Sequence, residues 1–467
     1  MANLNTYYFV GAGGIGMTNL ERYFLSKGCR VGGYDRTRTP LTDKVTAEGA
    51  DIIYDDDPEL IAPCFRNPQN VTVVYTPAIP DDNRILSFFR QGGFRIIKRA
   101  ALLGDITRSE RGICVAGSHG KTTTSSMTAW ILNGTPKGCN AFLGGILRNT
   151  GSNLMISDKS DIAVIEADEY DRSFHHLSPH IAIITSTDPD HLDIYGDEAH
   201  YLEAFSIFSS LIEPGGTLLL HTGLKMTPAL RPGVRLATYS ASDPSADWHA
   251  ENITYLPGEL HFTLAGPDGL RIPDISLGVP VEINIDNAVA AAAAALLAGA
   301  TPREVKAGLE TFQGARRRFE IWLRGEKDGA RAILIDDYAH SPGEIHASIN
   351  SVRKLYPGKK ITVIFQPHLY SRTRDFAPDF AAALSEADEA ILTEIYPARE
   401  KPIPGVDSGI ILDRITTKSE FCNRKDLLEL IKNRNFEILI TLGAADIDVL
   451  LPEIKKILTD KHVEKGS

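Results

Sequence analysis

The sequence is poor in cysteine, in basic charge and in long apolar runs, and each shortage excludes a class of protein. Five cysteines, Cys29, Cys64, Cys114, Cys139 and Cys422, are scattered over 467 residues and form no CxxC pair. A disulfide framework or a zinc site is therefore not expected, and a reducing, cytoplasmic setting is. Lysines and arginines number 49 against 60 aspartates and glutamates, a net charge of −11. Nucleic-acid-binding surfaces are normally basic, so no nucleic-acid partner is expected, although a pocket can still be locally basic. The longest apolar run, Ala288 to Ala298, falls short of the roughly 20 residues a bilayer requires, so no membrane insertion is expected. It reads as a packed helix ended by Gly299. The start, Met1-Ala2-Asn3-Leu4-Asn5, lacks the basic-then-apolar order of a secretory signal. Repeats and low-complexity segments are also missing.

What is present is a 43% apolar composition and a length that, at roughly 100–200 residues per domain, predicts three domains. Three strand–turn–helix openings divide the chain. Tyr7 to Val10 runs into Gly11-Ala12-Gly13-Gly14-Ile15-Gly16 and a helix to about Ser26; strands at Arg30 to Tyr34 and Val71 to Tyr75 follow. Gly112 to Ala116 runs into Gly117-Ser118-His119-Gly120-Lys121-Thr122, with further strands at Asp161 to Ile165 and His180 to Thr185. Ala332 to Ile335 runs into Asp336-Asp337-Tyr338-Ala339-His340, with strands near Ile361–Phe365, Glu389–Leu392 and Glu437–Thr441. This alternation is the signature of α/β folding with parallel sheets. The stretch from about 215 to 280 reads as short strands joined by turns. Thr301-Pro302-Arg303-Glu304 is a capping box that opens a helix. Linkers are expected near 105–111 and 321–330, the second rich in glycine and charge.

The second opening carries the chemistry most directly. A glycine turn after a strand aims backbone N–H groups and a helix N-terminus at phosphate oxygens. Lys121 adds a point charge for the β/γ phosphates, and the Thr122 hydroxyl can ligate Mg²⁺, with Thr123 beside it. The glycine that usually stands five residues before Gly120 is Val115 here, so this is a shorter GxxGKT loop. ATP is the expected nucleotide. Glu166-Ala167-Asp168-Glu169 ends a strand and offers the hard oxygens Mg²⁺ requires; His191, within Asp188-Pro189-Asp190-His191-Leu192-Asp193, is a candidate second ligand. The first opening matches GxGxxG, with Asp35 about 20 residues on, and by spacing alone reads as a dinucleotide site. Two basic groups remain, Arg317-Arg318-Phe319 and His368-Leu369-Tyr370-Ser371-Arg372-Thr373-Arg374; arginine grips phosphate or carboxylate bidentately.

Taken together, GAGGIGM, GSHGKTTT, EADEYDRSF, TDPDHLDIYG, FQGARRRF, DDYAHSPGEI, QPHLYSRTRDF and PIPGVDS resemble the Mur ligases over nearly the whole chain. The resemblance implies three domains: a Rossmann-like domain for a UDP-sugar over 1–108, a central P-loop ATPase-type domain over 109–322 and a Rossmann-like domain over 323–467. It turns the first glycine loop from a cofactor site into a substrate site, with Gly11, Gly13, Gly14, Ile15, Gly16, Asp35, Thr76 and Arg99 facing the UDP-sugar. It implies Gly117, Ser118, His119, Gly120, Lys121, Thr122, Thr123, Asn284, Asn287 and Arg317 or Arg318 as ATP contacts, and Thr122, Glu166 and His191 at Mg²⁺. Asp337, Tyr338, His340, His368 and Arg372 match the C-terminal site. Three positions depart from the family pattern: Ile283 where histidine is usual, Leu369 where arginine often stands, and Ala445 in place of a glycine.

The reaction so implied is ATP-dependent amide formation on the lactyl carboxylate of UDP-N-acetylmuramate through an acyl phosphate. No lysine lies between Asp193 and Pro214, so the carbamylated lysine of the later-acting family members is missing, which favours the branch that adds L-alanine. His340 or Asp337 is the expected base toward the amine, and hinges near 108 and 325 are expected for closure. A recycling ligase that attaches a tripeptide to the same sugar is the nearest alternative; an NAD-dependent oxidoreductase, resting on the first glycine loop, is the alternative of another class. A monomer or a homodimer is expected.

Overall fold

The computed structural model describes residues 5–463 apart from Arg331 and Arg399, and it divides into two compact units. The first comprises 1–146, 151–248 and 290–308; the second 147–150, 249–289 and 309–467.

In the first unit, strands β1 (Thr6–Val10), β2 (Arg30–Tyr34), β3 (Asp51–Ile53), β4 (Val71–Tyr75) and β5 (Arg95–Lys98) form a parallel sheet in the order β3-β2-β1-β4-β5. The strand-order reversal beside β1 leaves a crevice at its C-terminal end, where an open α/β sheet binds its ligand. A second set follows: β6 (Arg111–Ala116), β7 (Asn140–Leu147), β8 (Ser152–Met155), β9 (Ile162–Glu166), β10 (Ile181–Ile184), β11 (Thr217–His221) and β12 (Arg235–Ser240). Their order is β12-β11-β10-β6-β9-β7-β8, with β6 central. β6 and β9 are near-continuous apolar runs, as strands covered on both faces must be. The loop after β6 is the phosphate loop, and the helix Lys121–Asn133 starts directly from it.

In the second unit β13 (Trp248–Leu256), β14 (Glu259–Ala265) and β15 (Arg271–Ser276) form an antiparallel meander. The C-terminal sheet contains β16 (Glu320–Arg324), β17 (Ile333–Asp337), β18 (Ile361–Phe365), β19 (Glu389–Leu392), β20 (Lys418–Phe421) and β21 (Ile438–Leu442), ordered β16-β17-β21-β18-β19-β20. Every pairing in it is parallel except that of β16 with β17.

The alanine run is a helix, Ile283–Leu297, in which Ala288 and Ala290 to Ala295 are fully buried. Gly299 follows it at φ +105°. The capping box forms as written: Glu304 N–H donates to Thr301 Oγ1 at 3.3 Å and Thr301 N–H to Glu304 Oε2 at 2.7 Å. All five cysteines are free, and among the described residues no helix is long and apolar enough to cross a membrane.

Both stretches expected to be linkers are regular structure. Residues 105–109 end the helix Arg99–Ser109, which buries Leu102 and Ile106. Residues 321–324 belong to β16, which buries Ile321 and Leu323 against β17. The glycine and charge that suggested a linker belong to the short turn Gly325–Asp328 that follows.

Candidate active site

The glycine loop after β1 gathers the side chains expected at its mouth. Gly13 N–H donates to Asp35 Oδ2 at 2.7 Å and Thr37 N–H to Asp35 Oδ1 at 2.9 Å, so the Asp35 carboxylate is spent on bracing the loop. Gly11 adopts φ +93°, and a β-carbon there would meet the Thr76 methyl at 2.6 Å. A β-carbon on Gly16 would collide with the Arg99 guanidinium. Gly14 ends the loop as the N-cap of the helix Ile15–Ser26, whose acidless first turn offers backbone N–H groups to an anion. Ile15 is exposed beside them.

The phosphate loop is held by its neighbours. Gly117 (φ +142°) and Gly120 (φ +80°) take up conformations that L side chains rarely adopt. Ser186, on the loop after β10, accepts Ser118 N–H on its carbonyl at 3.2 Å and His119 N–H on its hydroxyl at 2.7 Å. The Ser118 hydroxyl donates to Asp188 O at 2.7 Å. Lys121 is folded back: its ammonium donates to Gly117 O at 2.5 Å, Ser118 O at 3.3 Å and Glu169 Oε1 at 2.8 Å. The Thr122 hydroxyl donates to Glu166 Oε1 at 3.0 Å, and Glu166 Oε2 takes Gly144 N–H at 3.0 Å. Gly144 must lack a side chain, because a β-carbon there would lie inside the Glu166 carboxylate. His191 Nε2 stands 3.9 Å from Glu169 Oε1. Its backbone is left-handed, φ +53°, a strained conformation of the kind that concentrates at functional sites.

These residues fit a magnesium nucleotide. Thr122 and Glu166 offer oxygen and His191 a ring nitrogen, yet among the described residues no three His, Cys, Asp or Glu side chains converge as a cage. Mg²⁺ suits such a site, since it typically takes one or two carboxylates and completes its shell with water and phosphate. Glu169 closes the same acidic run as Glu166, and its spacing alone assigns it no role. It is 1% exposed, and burial pushes its carboxyl up against the opposing pull of Lys121.

In the second unit a further cluster forms at the C-terminal ends of β17 and β18. His340 Nδ1 lies 3.0 Å from Tyr338 O, which can only accept, so that nitrogen carries the proton and Nε2 keeps its lone pair. Burial lowers the His340 pKa; the Arg372 and Arg318 charges add to this, and Glu344 opposes it. His368, stacked on Tyr396 at 5.9 Å, is lowered by burial and by Arg372 and His340, so the two imidazoles and Arg372 share one patch. The Tyr338 ring lies 5.3 Å from His340 and 5.3 Å from the Arg318 guanidinium. Asp337 sits at the end of β17, its carboxyl raised by burial against the pull of Arg318. Glu344 was missed, although Ser341-Pro342-Gly343-Glu344 is a readable capping box: Glu344 Oε2 accepts the N–H groups of His340 at 3.0 Å and Ser341 at 3.1 Å. Glu400 was missed as well; it accepts Ser371 N–H at 3.0 Å.

Arg317 and Arg318 separate. Arg317, left-handed at φ +60°, donates to Ala445 O at 2.6 Å and Gly443 O at 2.5 Å, and its Nε lies 3.3 Å from Asp336 Oδ2. Asp336 is fully buried, which raises its pKa to about 7. Arg317 is thus committed within its own unit, and Arg318 is the exposed cation of the pair. Asn287 Nδ2 donates to Asn284 Oδ1 at 3.0 Å, and Asn284 Nδ2 to Val279 O at 3.3 Å. Of the departures, Ile283 is exposed at the start of its helix. Leu369 is left-handed at φ +72°. Ala445 is not among the left-handed residues, so alanine is tolerated there.

Known proteins match this architecture along its length. The Mur ligase family catalytic domain matches residues 6–111, the Mur ligase middle domain 115–295 and the Mur ligase glutamate ligase domain 317–444. A UDP-N-acetylmuramate–L-alanine ligase of Parabacteroides distasonis is 55% identical over 98% of both chains. One of Porphyromonas gingivalis is 50% identical over 97% of this chain and 98% of its own. The crystal structure of the UDP-N-acetylmuramate-alanine ligase of Thermotoga maritima covers 99% of this chain and 100% of its own at 27% identity and a TM-score of 0.73. A solved murein peptide ligase of Psychrobacter arcticus, at 20% identity and a TM-score of 0.60, shares the fold. With three α/β domains matched in order and a relative more than half identical over nearly its full length, this chain belongs to the Mur ligase family.

Proposed function

We propose that this chain joins L-alanine to the lactyl carboxylate of UDP-N-acetylmuramate, cleaving ATP to ADP and phosphate, in the synthesis of a peptidoglycan precursor. The observation that carries the reading is the convergence of Lys121, Thr122, Glu166 and His191 around a phosphate loop, in a chain 55% identical to a UDP-N-acetylmuramate–L-alanine ligase. The lactyl carboxylate attacks the γ-phosphorus and forms an acyl phosphate with loss of ADP. The alanine amine then attacks the acyl carbon, and the tetrahedral intermediate expels phosphate.

In this reading Gly11, Gly13, Gly14, Ile15, Gly16, Thr76 and Arg99 face the UDP-sugar, and Asp35 shapes their loop. Lys121 offsets phosphate charge. Thr122, Glu166 and His191 would hold Mg²⁺, which when bound neutralises the triphosphate. Asn284 and Asn287 serve adenine, and Arg318 rather than Arg317 reaches the nucleotide. The Nε2 lone pair of His340 takes the amine proton, a role the fixed tautomer favours over Asp337. Tyr338, His368 and Arg372 orient the acceptor. Domain boundaries near 108 and 322, a cytoplasmic site of action and a monomer or homodimer complete the proposal.

Incubation with UDP-N-acetylmuramate, ATP, Mg²⁺ and a panel of amino acids, read by mass spectrometry, tests it. Addition of one alanine residue is expected. An adduct only with the murein tripeptide would instead identify a recycling ligase. Micromolar NAD(H) affinity in a fluorescence titration would restore the oxidoreductase reading.

A further inference from the structure

Glu169 holds no ligand in the reading above, yet its carboxylate is buried, ion-paired and only half satisfied. Its side chain is shielded from solvent. Oε1 takes the Lys121 ammonium at 2.8 Å, with His191 Nε2 at 3.9 Å, while the buried Oε2 has no hydrogen-bond partner. Its backbone is pinned: Glu169 O accepts the Tyr195 hydroxyl at 2.5 Å and Arg172 N–H at 3.0 Å. The backbone that carries the carboxylate is therefore fixed.

Lys121 is equally committed. An ammonium has three protons, and here three acceptors surround it: Gly117 O, Ser118 O and Glu169 Oε1. A lysine spent inside its own loop cannot also neutralise a phosphate, so a nucleotide has to draw it outward. Doing so strands Glu169 as a buried anion, and removing one partner of a buried ion pair is strongly unfavourable unless another cation replaces it. A position for that cation lies at His191, a proposed metal ligand whose Nε2 stands 3.9 Å from Glu169 Oε1.

We infer that Glu169 is a positioning residue that retains Lys121 within the phosphate loop until a divalent cation takes over its charge, so that nucleotide and cation binding are coupled through this one carboxylate. The inference rests on the reading of this loop as an ATP site. Linkage makes the coupling reciprocal.

The test is the affinity of the full chain for a non-hydrolysable ATP analogue, by calorimetry, in EDTA and in saturating Mg²⁺. The unsubstituted chain is expected to bind at least about tenfold more tightly with Mg²⁺. In Glu169→Gln, with Lys121 released, the metal-free affinity rises and the ratio falls below about threefold, while thermal melting reports an intact fold. A ratio equal to that of the unsubstituted chain overturns the inference, as does an equal loss of affinity in both conditions, which is what a purely structural role produces. Where Glu169→Gln does not fold, Glu169→Asp, which withdraws the charge by one methylene, is read by the same ratio. An unsubstituted chain that binds the analogue in neither condition refutes the ATP reading itself and the inference with it.

Discussion

At the scale of single residues, the first-unit site is organised by side chains that hold one another. Lys121 is the charge that meets phosphate, so Lys121→Ala is expected to lower ligation about a hundredfold or more, with a melt that stays cooperative but shifts down because Glu169 loses its buried partner. Near-normal turnover would remove the loop from the mechanism. His340 gives a pH expectation. Its folded pKa lies below the ordinary histidine value of about 6.5, mainly through burial. Between the two values the unfolded chain holds a proton that the folded chain does not, so this residue's contribution to stability rises with pH through that window and is lost as pH falls. The acid limb of kcat/KM should accordingly lie below about pH 6.5, and His340→Gln should abolish that limb while reducing kcat about 10²–10⁴-fold. An acid limb unchanged in that variant would assign the base elsewhere. Glu169 and Arg317 show what sequence leaves open at this scale. Both stand inside motifs that are visible in the sequence. Which acid meets Lys121, 48 residues away, and which of two adjacent arginines turns inward toward Asp336, is decided by packing that no local spacing encodes.

Elements were far more legible. β2, β4, β18 and β19 occupy the residues that their apolar runs marked, because a buried parallel strand is a short hydrophobic stretch ended by polar turn residues. β16 was misread for a physical reason. An antiparallel edge strand adjoining a Gly- and charge-rich turn has neither the continuous apolar run nor the flanking helix of its neighbours. The glycine loops were legible as loops, but the side chains occupying the space each glycine leaves were not. Gly144 makes room for Glu166 and Gly16 for Arg99. Gly16→Ala is therefore expected to displace Arg99 and weaken UDP-N-acetylmuramate binding on the order of tenfold, comparable to losing one charge-assisted hydrogen bond. ATP affinity should stay unchanged; calorimetry showing equal loss for both ligands would mean a general disturbance of the unit.

For the whole molecule, chain order and spatial order diverge most in the C-terminal sheet. Among the described residues β21 is the last strand, yet it lies between β17 and β18. Ile438, Leu439, Ile440 and Leu442 are fully buried there. At roughly 1.5–3 kcal/mol per buried aliphatic side chain, their removal costs about as much as a typical domain's entire stability of roughly 5–15 kcal/mol. A chain ending before Ile438 should thus lose the cooperative unfolding transition of this sheet in a denaturant titration, and a retained transition would show that the sheet closes without it. The same placement governs how the protein comes into being. As the ribosome extrudes the chain, β17 can pair with β16 and β18 with β19, but the edge of each that β21 fills stays open to other nascent chains. Closure of this sheet must wait until β21 (Ile438–Leu442) has followed β17 (Ile333–Asp337) out of the ribosome, so the open edges are exposed to misassociation for as long as the intervening chain is being translated.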